Sequence, residues 1–555
     1  MRFLMFFLIV FSIELSAQHQ AYLDVGNVRA LVNSDGLLFH NKITGLGGFE
    51  APIGDSINSI FASAIWMSSG DTLSGKTAKV SIGHEIYGNQ DEIYVGPVDI
   101  ISQKKDTSGK FQRLWKIEKD TVDYHIANWN QPNYQIPTSI LEWPGNRNSN
   151  TAKILAPFED IDGDSIYESK QGDYPLILGD QAIYVIANNF KDEPIDSIFE
   201  YVPDPNNPSI IIDSIFKGIS TPMQIEIHMM LYAYSNSTKE ISNSIFVRTK
   251  LFHRSNSSLL DHFNFKFSTF NDFDIGGPSD DYMGTDTIRN MVFAYNSPNI
   301  DIGSNQIKGY SKNLAAQAVK FLNSSLAGSM EHIDPFTGLW GHQKRFVIPL
   351  QNGRWPNGRF LTYGGDGYLY CTDRNNLTSY YFPGNPVLIG DSSQWTALNR
   401  CPTDTTYGQH PPSDTRIIGT PKLSTSFLHG TNIELNYAYV FAQDTGGVVA
   451  SIAALQVAAD SVQAFYDREK FVGISEQKVR TQLDFKVYPN PAKETITIET
   501  NLLDFELDIV NLQGQLIQQF KNTKVLNISN LTEGIYFVKI KSKSKLGVKR
   551  LMVVD

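Results

Sequence analysis

The densest chemistry in the chain lies between residues 160 and 180. Asp160-Ile161-Asp162-Gly163-Asp164 is followed by Glu168, Asp173 and Asp180. Alternate residues in a tight turn can aim their carboxylates at one centre. Crowded anions repel one another unless a hard cation neutralises them, and Ca²⁺ takes 6–8 oxygens at about 2.3–2.6 Å. The pattern is not an EF-hand. Ser165 stands where that loop needs its Gly, and Gln171 where it needs its closing Glu. Asp160, Asp162, Asp164, Glu168 and Asp173 are the expected ligands of a structural Ca²⁺.

A second cluster runs through Asp272-Phe273-Asp274-Ile275-Gly276, Asp280-Asp281 and Asp286. These five aspartates form a second expected hard-cation set. The enzymatic alternative is a secreted hydrolase, such as a glycoside hydrolase, with Asp272, Asp274, Asp280 or Asp281 as acid and base. That mechanism needs one carboxyl with a raised pKa beside an apolar wall. Phe273 or Tyr282 could supply the wall, but every carboxylate here has acidic neighbours, which suits a cation better.

Other motifs dissolve on inspection. Gly70 to Thr77 spells a complete phosphate loop, yet that chemistry needs a helix at its Lys-Thr end, and Ala78-Lys79-Val80-Ser81-Ile82 reads as a strand. His84-Glu85 opens a zinc-protease pattern, but Gly88 replaces the second His. His228, beside Glu226 in a strand pattern, reads as a packed or paired residue. Cys371 and Cys401 exclude a disulfide-stapled scaffold and leave open one bridge or two free thiols.

Positioning these groups falls to strands. Ala30–Val32, Ser59–Met67, Ala78–Tyr87, Ala182–Ile186, Gln224–Tyr234, Ser244–Phe252 and Asn432–Ala442 are β-branched and aromatic, bounded by Gly, Asn, Asp, Ser and Pro. The expected fold is mainly β: antiparallel β-sandwich domains and a small separate β-sandwich at the C-terminus. One helix is expected in the body, over Ser451–Tyr466, where Ile452, Leu455, Ala459, Val462 and Tyr466 form one stripe.

The 555 residues exceed the roughly 250–300 that one hydrophobic core accommodates, so several domains are expected. Apolar residues at 41% exclude wholesale disorder. The 47 Lys+Arg against 58 Asp+Glu give a net charge of −11, which argues against a nucleic-acid partner. No apolar run approaches the roughly 20 residues of a membrane helix. Residues 1–17 read as a signal peptide: Arg2, the apolar run Phe3–Phe11, then Leu15-Ser16-Ala17 before Gln18. A β-rich body spans 18–472, with a subdomain boundary expected near 145–160. Residues 473–484 are polar and read as a linker. Beyond it the charge reverses: residues 486–555 hold 10 Lys+Arg and 7 Asp+Glu, a net +3.

This basic tail carries Tyr488-Pro489-Asn490-Pro491, a turn ending in Gly514, Leu531 with Gly534-Ile535-Tyr536, and a final run from Lys549 to Val553. In these motifs and their order it resembles the type A C-terminal sorting domain of the type IX secretion system of Bacteroidetes. The resemblance implies signal-peptide export to the periplasm and transfer by the type IX machinery to the outer surface or medium. It also implies removal of the tail and attachment of the body to surface lipopolysaccharide. The body motifs at 160–180, 272–286 and Ser413–Arg416 resemble uncharacterised secreted Bacteroidetes proteins, a grouping that brings no activity. Asp55-Ser56-Ile57, Asp196-Ser197-Ile198 and Asp213-Ser214-Ile215 are similar to the motif at which those bacteria O-glycosylate exported proteins. The resulting expectation is a cell-surface or extracellular protein, without a transmembrane segment, whose role is binding or structural rather than enzymatic.

Overall fold

A computed structural model describes residues 19–554, apart from 71–78, 83–92, 107–108, 147–149, 191–195, 205–206, 221–222, 236, 257–260, 278–279, 297–299, 304–306, 334–360, 363–375, 378–414, 424–425, 480–484, 501, 503, 512–515 and 543–544. The signal-peptide segment, most of the phosphate-loop pattern, both cysteines and Gly514 lie outside the described residues. The chain divides into two compact units, Met1–Gln463 and Ala464–Asp555.

The larger unit is built on two antiparallel sheets. One runs Gln20–Leu23, Arg29–Asn33, Phe49–Glu50, Asn58–Ser69, Lys266–Phe273, Thr415–Pro421 and Leu326–Ile333, with Lys79–Ile82 also paired to Asn58–Ser69. The other runs Trp115–Glu118, Gln181–Asn188, Ile225–Ala233, Ser244–His253, Asn432–Asp444, Leu314–Phe321, Met291–Asn296 and Asp281–Asp286. Their facing residues form one core. Ile60, Ile65, Met67 and Phe267 come from the first sheet, and Val185, Ile227, Met229, Val247 and Tyr437 from the second. Period-two alternation puts such residues on one face of each strand. Polar bonds pin the sheets together: Ser63 Oγ and Tyr439 Oη are 2.6 Å apart, and Ser59 Oγ donates to Gln317 Oε1 at 2.9 Å. All these groups are buried, so each bond spares a desolvated oxygen.

The second sheet is also covered on its outer face. Tyr184 packs its ring 5.3 Å from Trp143 and donates to the Leu155 carbonyl at 3.0 Å. Residues 150–160 therefore fold against the sheet, because Trp143, Leu155 and Tyr167 have apolar surface that only the sheet and its covering turns can bury. This cover includes the helix Lys119–Asn128, which the apolar stripe did not announce. Its buried residues are only Val122 and His125, too few for a periodic signal.

The expected body helix is present and longer, at Val448–Val479. Ile452, Leu455, Ala458, Ala459 and Val462 are its buried side. It continues through the first part of the segment read as a linker. Glu476, Gln477 and Lys478 are polar, which signalled a linker, but they are strong helix formers, and propensity rather than polarity decided the backbone.

The smaller unit has its own core. A three-stranded sheet (Lys486–Tyr488, Thr495–Glu499, Val525–Asn527) and a four-stranded sheet (Leu516–Lys521, Glu506–Val510, Gly534–Ser542, Lys545–Val553) enclose Ile496, Ile498, Leu507, Ile509, Leu526, Val538, Ile540 and Leu551. Every member of this cluster lies between residues 485 and 553.

Candidate cation sites and the sorting tail

The acidic loop is a chain of side-chain-to-backbone bonds. Asp160 accepts from the amides of Gly163 and Ser165, both at 2.7 Å. Asp164 accepts from Ile166 at 2.7 Å. Asp173 is 1% exposed and accepts from Ile161 and Glu168, both at 2.8 Å, which closes the loop from the far side. Oxygens of Asp160, Asp162 and Asp173 lie within 4.8 Å of one another, as do oxygens of Asp162, Asp164 and Glu168. That spacing matches oxygens sharing one Ca²⁺, and Asp162 belongs to both triplets. Burial raises the Asp173 pKa, the two amides oppose this, and Asp160 and Asp162 raise it further.

Two residues absent from the sequence expectation hold Asp173 in place. The His125 ring bonds the Asp173 carbonyl at 3.0 Å and Tyr134 Oη at 3.0 Å. Gly172 sits at φ +104°, and a Cβ there would come 2.8 Å from the Trp129 indole. Only glycine allows both that backbone and that approach. His125 and Trp129 come from the helix Lys119–Asn128 and its end, and no local motif marks them.

The five aspartates of the second cluster do not share one centre. Asp272, in the first sheet, faces Arg416 across the strand pair, with Nε 3.4 Å from its carboxylate. Asp286 is bound by Arg289 at 3.0 Å and by Gln456 at 3.2 Å. It lies at the opposite end of the strand Asp281–Asp286 from Asp281, about 16 Å away at some 3.3 Å per residue. Strand geometry thus separates residues that are close in sequence. Asp274, Asp280 and Asp281 remain together where the chain crosses between the sheets, and Asp301, missed by the sequence reading, joins them through space.

His228 is buried in an ionic network. Its Nε2 is 2.9 Å from Glu226 Oε1, and its Nδ1 is 3.0 Å from Tyr184 Oη. Arg254 donates twice to the same Glu226 oxygen, at 3.0 and 2.7 Å, and the Val98 amide donates to the other at 2.8 Å. The Arg254 guanidinium also lies 4.3 Å above the Phe252 ring.

In the tail, Asn490 ties the Tyr488–Pro491 segment to the last strand. Its Nδ2 donates to the Arg550 carbonyl at 2.6 Å, and its Oδ1 accepts from the Met552 amide at 2.9 Å. Ala492 and Val553 add a parallel bridge. Tyr488, Pro489, Asn490 and Pro491 are all exposed, whereas Tyr536 is buried and donates to the Thr532 carbonyl at 3.0 Å. Gly534 begins, and Lys549 lies within, the paired strands Gly534–Ser542 and Lys545–Val553. Residues 486–554 match the family model described as the secretion system C-terminal sorting domain. The tail is a type IX secretion sorting domain. Its presence directs the protein to the cell surface or the extracellular space through that machinery. Within the sorting domain, Asn490→Ala removes two bonds to the last strand. It is expected to cost about 1–2 kcal/mol, read in the full chain as faster hydrogen exchange at the Ala492 and Val554 amides.

No curated protein matches the chain. Among solved structures, a polysaccharide lyase aligns with 65% of this chain at 7% identity and a TM-score of 0.16. The aligned part spans 39% of that lyase.

Proposed function

We propose that the body is a cargo displayed on or released from the outer surface, with a non-enzymatic binding or structural role and a Ca²⁺-stiffened acidic loop. The match of the tail to the sorting domain carries the export half of this reading. The loop half is supported by two overlapping carboxylate triplets within 4.8 Å on an exported chain, where calcium is available. The signal peptide supplies entry to the periplasm. Removal of the tail then leaves the body joined to surface lipopolysaccharide.

Calcium binding to the folded loop stabilises by mass action. Thermal unfolding of the full chain with chelator, then with excess Ca²⁺, is expected to show a rise in melting temperature that shrinks in Asp162→Asn, the residue shared by both triplets. Equal melting temperatures in chelator and Ca²⁺ would remove the loop site.

The hydrolase reading retains one observation. Burial, and then the charge of Asp301, raise the Asp280 carboxyl to about 6, the range of a general acid. Asp272, held by Arg416, is no longer free to serve as its partner. Loss of polysaccharide cleavage in Asp280→Asn would establish this reading, and no cleavage by the wild type would end it.

A further inference from the structure

Ile275, Asp281 and Asn296 form an arrangement separate from the acidic loop. Asp281 and Asn296 stand directly opposite one another in adjacent antiparallel strands. Each is 1% exposed. Both grip the backbone of one residue: the Ile275 amide donates to Asp281 Oδ2 at 2.9 Å, and Asn296 Nδ2 donates to the Ile275 carbonyl at 2.7 Å. These two bonds fix the orientation of both side chains and leave Oδ1 of each over. Among the described residues, both Oδ1 atoms are buried and accept no hydrogen bond. A buried acceptor left in that condition costs about 1–3 kcal/mol, and a charged one more. Folded chains seldom retain one without an occupant, and here two occur on neighbouring side chains.

The surroundings add charge of one sign. Burial raises the Asp281 pKa well above the carboxylate range, the Ile275 amide opposes it, and Asp274, Asp280 and Asp301 raise it further. Asp301 is buried against Gly276, where any Cβ would collide with its carboxylate. Its own oxygens are taken by the amides of Gly303 at 2.8 Å and Tyr310 at 2.6 Å. It supplies field rather than a ligand. Carboxylate and amide oxygens, with no sulfur or imidazole in the set, are the donors of a hard cation.

We infer that Asp281 and Asn296 form a buried Ca²⁺-class site in which Oδ1 of each is an inner ligand and Asp274 and Asp280 close the entrance. The cation cancels the negative field and satisfies both oxygens at once. It also fastens the edge of one sheet to the other, because Asp274 follows a strand of the first and Asp281 begins a strand of the second. The competing occupant is a proton on Asp281, donated to Asn296 Oδ1.

Calorimetric titration of Ca²⁺ into chelator-treated full-length protein separates them. Asp281→Asn is expected to lose one binding event while Asp162→Asn retains it, so the two sites fail separately. Asp280→Asn, at the partly exposed entrance, is expected to weaken that event about tenfold. Asn296→Asp adds a carboxylate and is expected to tighten it while lowering stability in chelator; it serves if Asp281→Asn does not fold. The inference is overturned if folded Asp281→Asn binds as much Ca²⁺ as the wild type. It is equally overturned if Asp281→Asn is more stable than the wild type in chelator and in Ca²⁺ by the same margin, which is the signature of a proton. An Asn296→Asp variant with unchanged Ca²⁺ response also overturns it.

Discussion

Deleting residues 485–555 is expected to abolish appearance of the body on the cell surface and in the medium, while the truncated chain still folds. The folding half rests on separate cores. Ile496, Leu507, Val538 and Leu551 pack among themselves in the tail, and the two-sheet cluster of the body draws every residue from positions 21–441. The two clusters share no residue. The sorting half rests on the tail's match to the sorting domain. Cell fractionation with surface labelling, for the full and truncated chains, is the measurement. A truncated form that still reaches the exterior would show that the body carries its own export signal.

Glu226→Ala is expected to be among the most destabilising single changes in the body, at about 3–5 kcal/mol. Glu226 is wholly buried. Burial is the largest influence on its pKa and acts upward; the hydrogen bond and charge of His228, the charge of Arg254 and the Val98 amide outweigh it and lower the pKa to about 2. Deleting the carboxylate leaves Arg254 without its counter-charge, His228 Nε2 without its hydrogen-bond partner and the Val98 amide without an acceptor. The same network sets a pH dependence. A carboxyl whose folded pKa lies below its unfolded value of 4.5 contributes stability that is full above about pH 5 and fades as the pH falls toward 2, on the order of 3 kcal/mol in all. Denaturant unfolding of wild type and Glu226→Gln at pH 7 and pH 3 tests this. The gap between the two proteins should narrow at pH 3, and a gap that widens would contradict the assignment.

Much of the scaffold was legible because strands announce themselves locally. Val185, Ile227 and Val247 alternate with residues of the opposite face, and the pattern carries the fold without knowledge of partners. The helix at Ile452 to Val462 was legible for the same reason, with a different period. The crowding at Asp160 was legible because its carboxylates lie close together in the sequence, from Asp160 to Asp173. Legibility ended where chemistry depends on register between distant strands. Asp272 finds Arg416 and Asp281 finds Asn296 only after the sheets have aligned, and nothing near Asn296 marks it as special. His125 and Trp129 were hidden because they work through the backbone and glycine of another segment. Sequence proximity also misled: five aspartates within fifteen positions read as one group, although a strand's extended rise carries Asp286 far from Asp281.

The closure of the sorting domain bears on the timing of synthesis. Its opening segment is held by residues that are translated 60 or more positions later: Asn490 by Arg550 and Met552, and Ala492 by Val553. A ribosome therefore releases the body as a chain able to collapse while the address label is still incomplete. Assembly of the label waits for the strand Lys545–Val553, so its recognisable form arises only on a chain whose cargo has already been made.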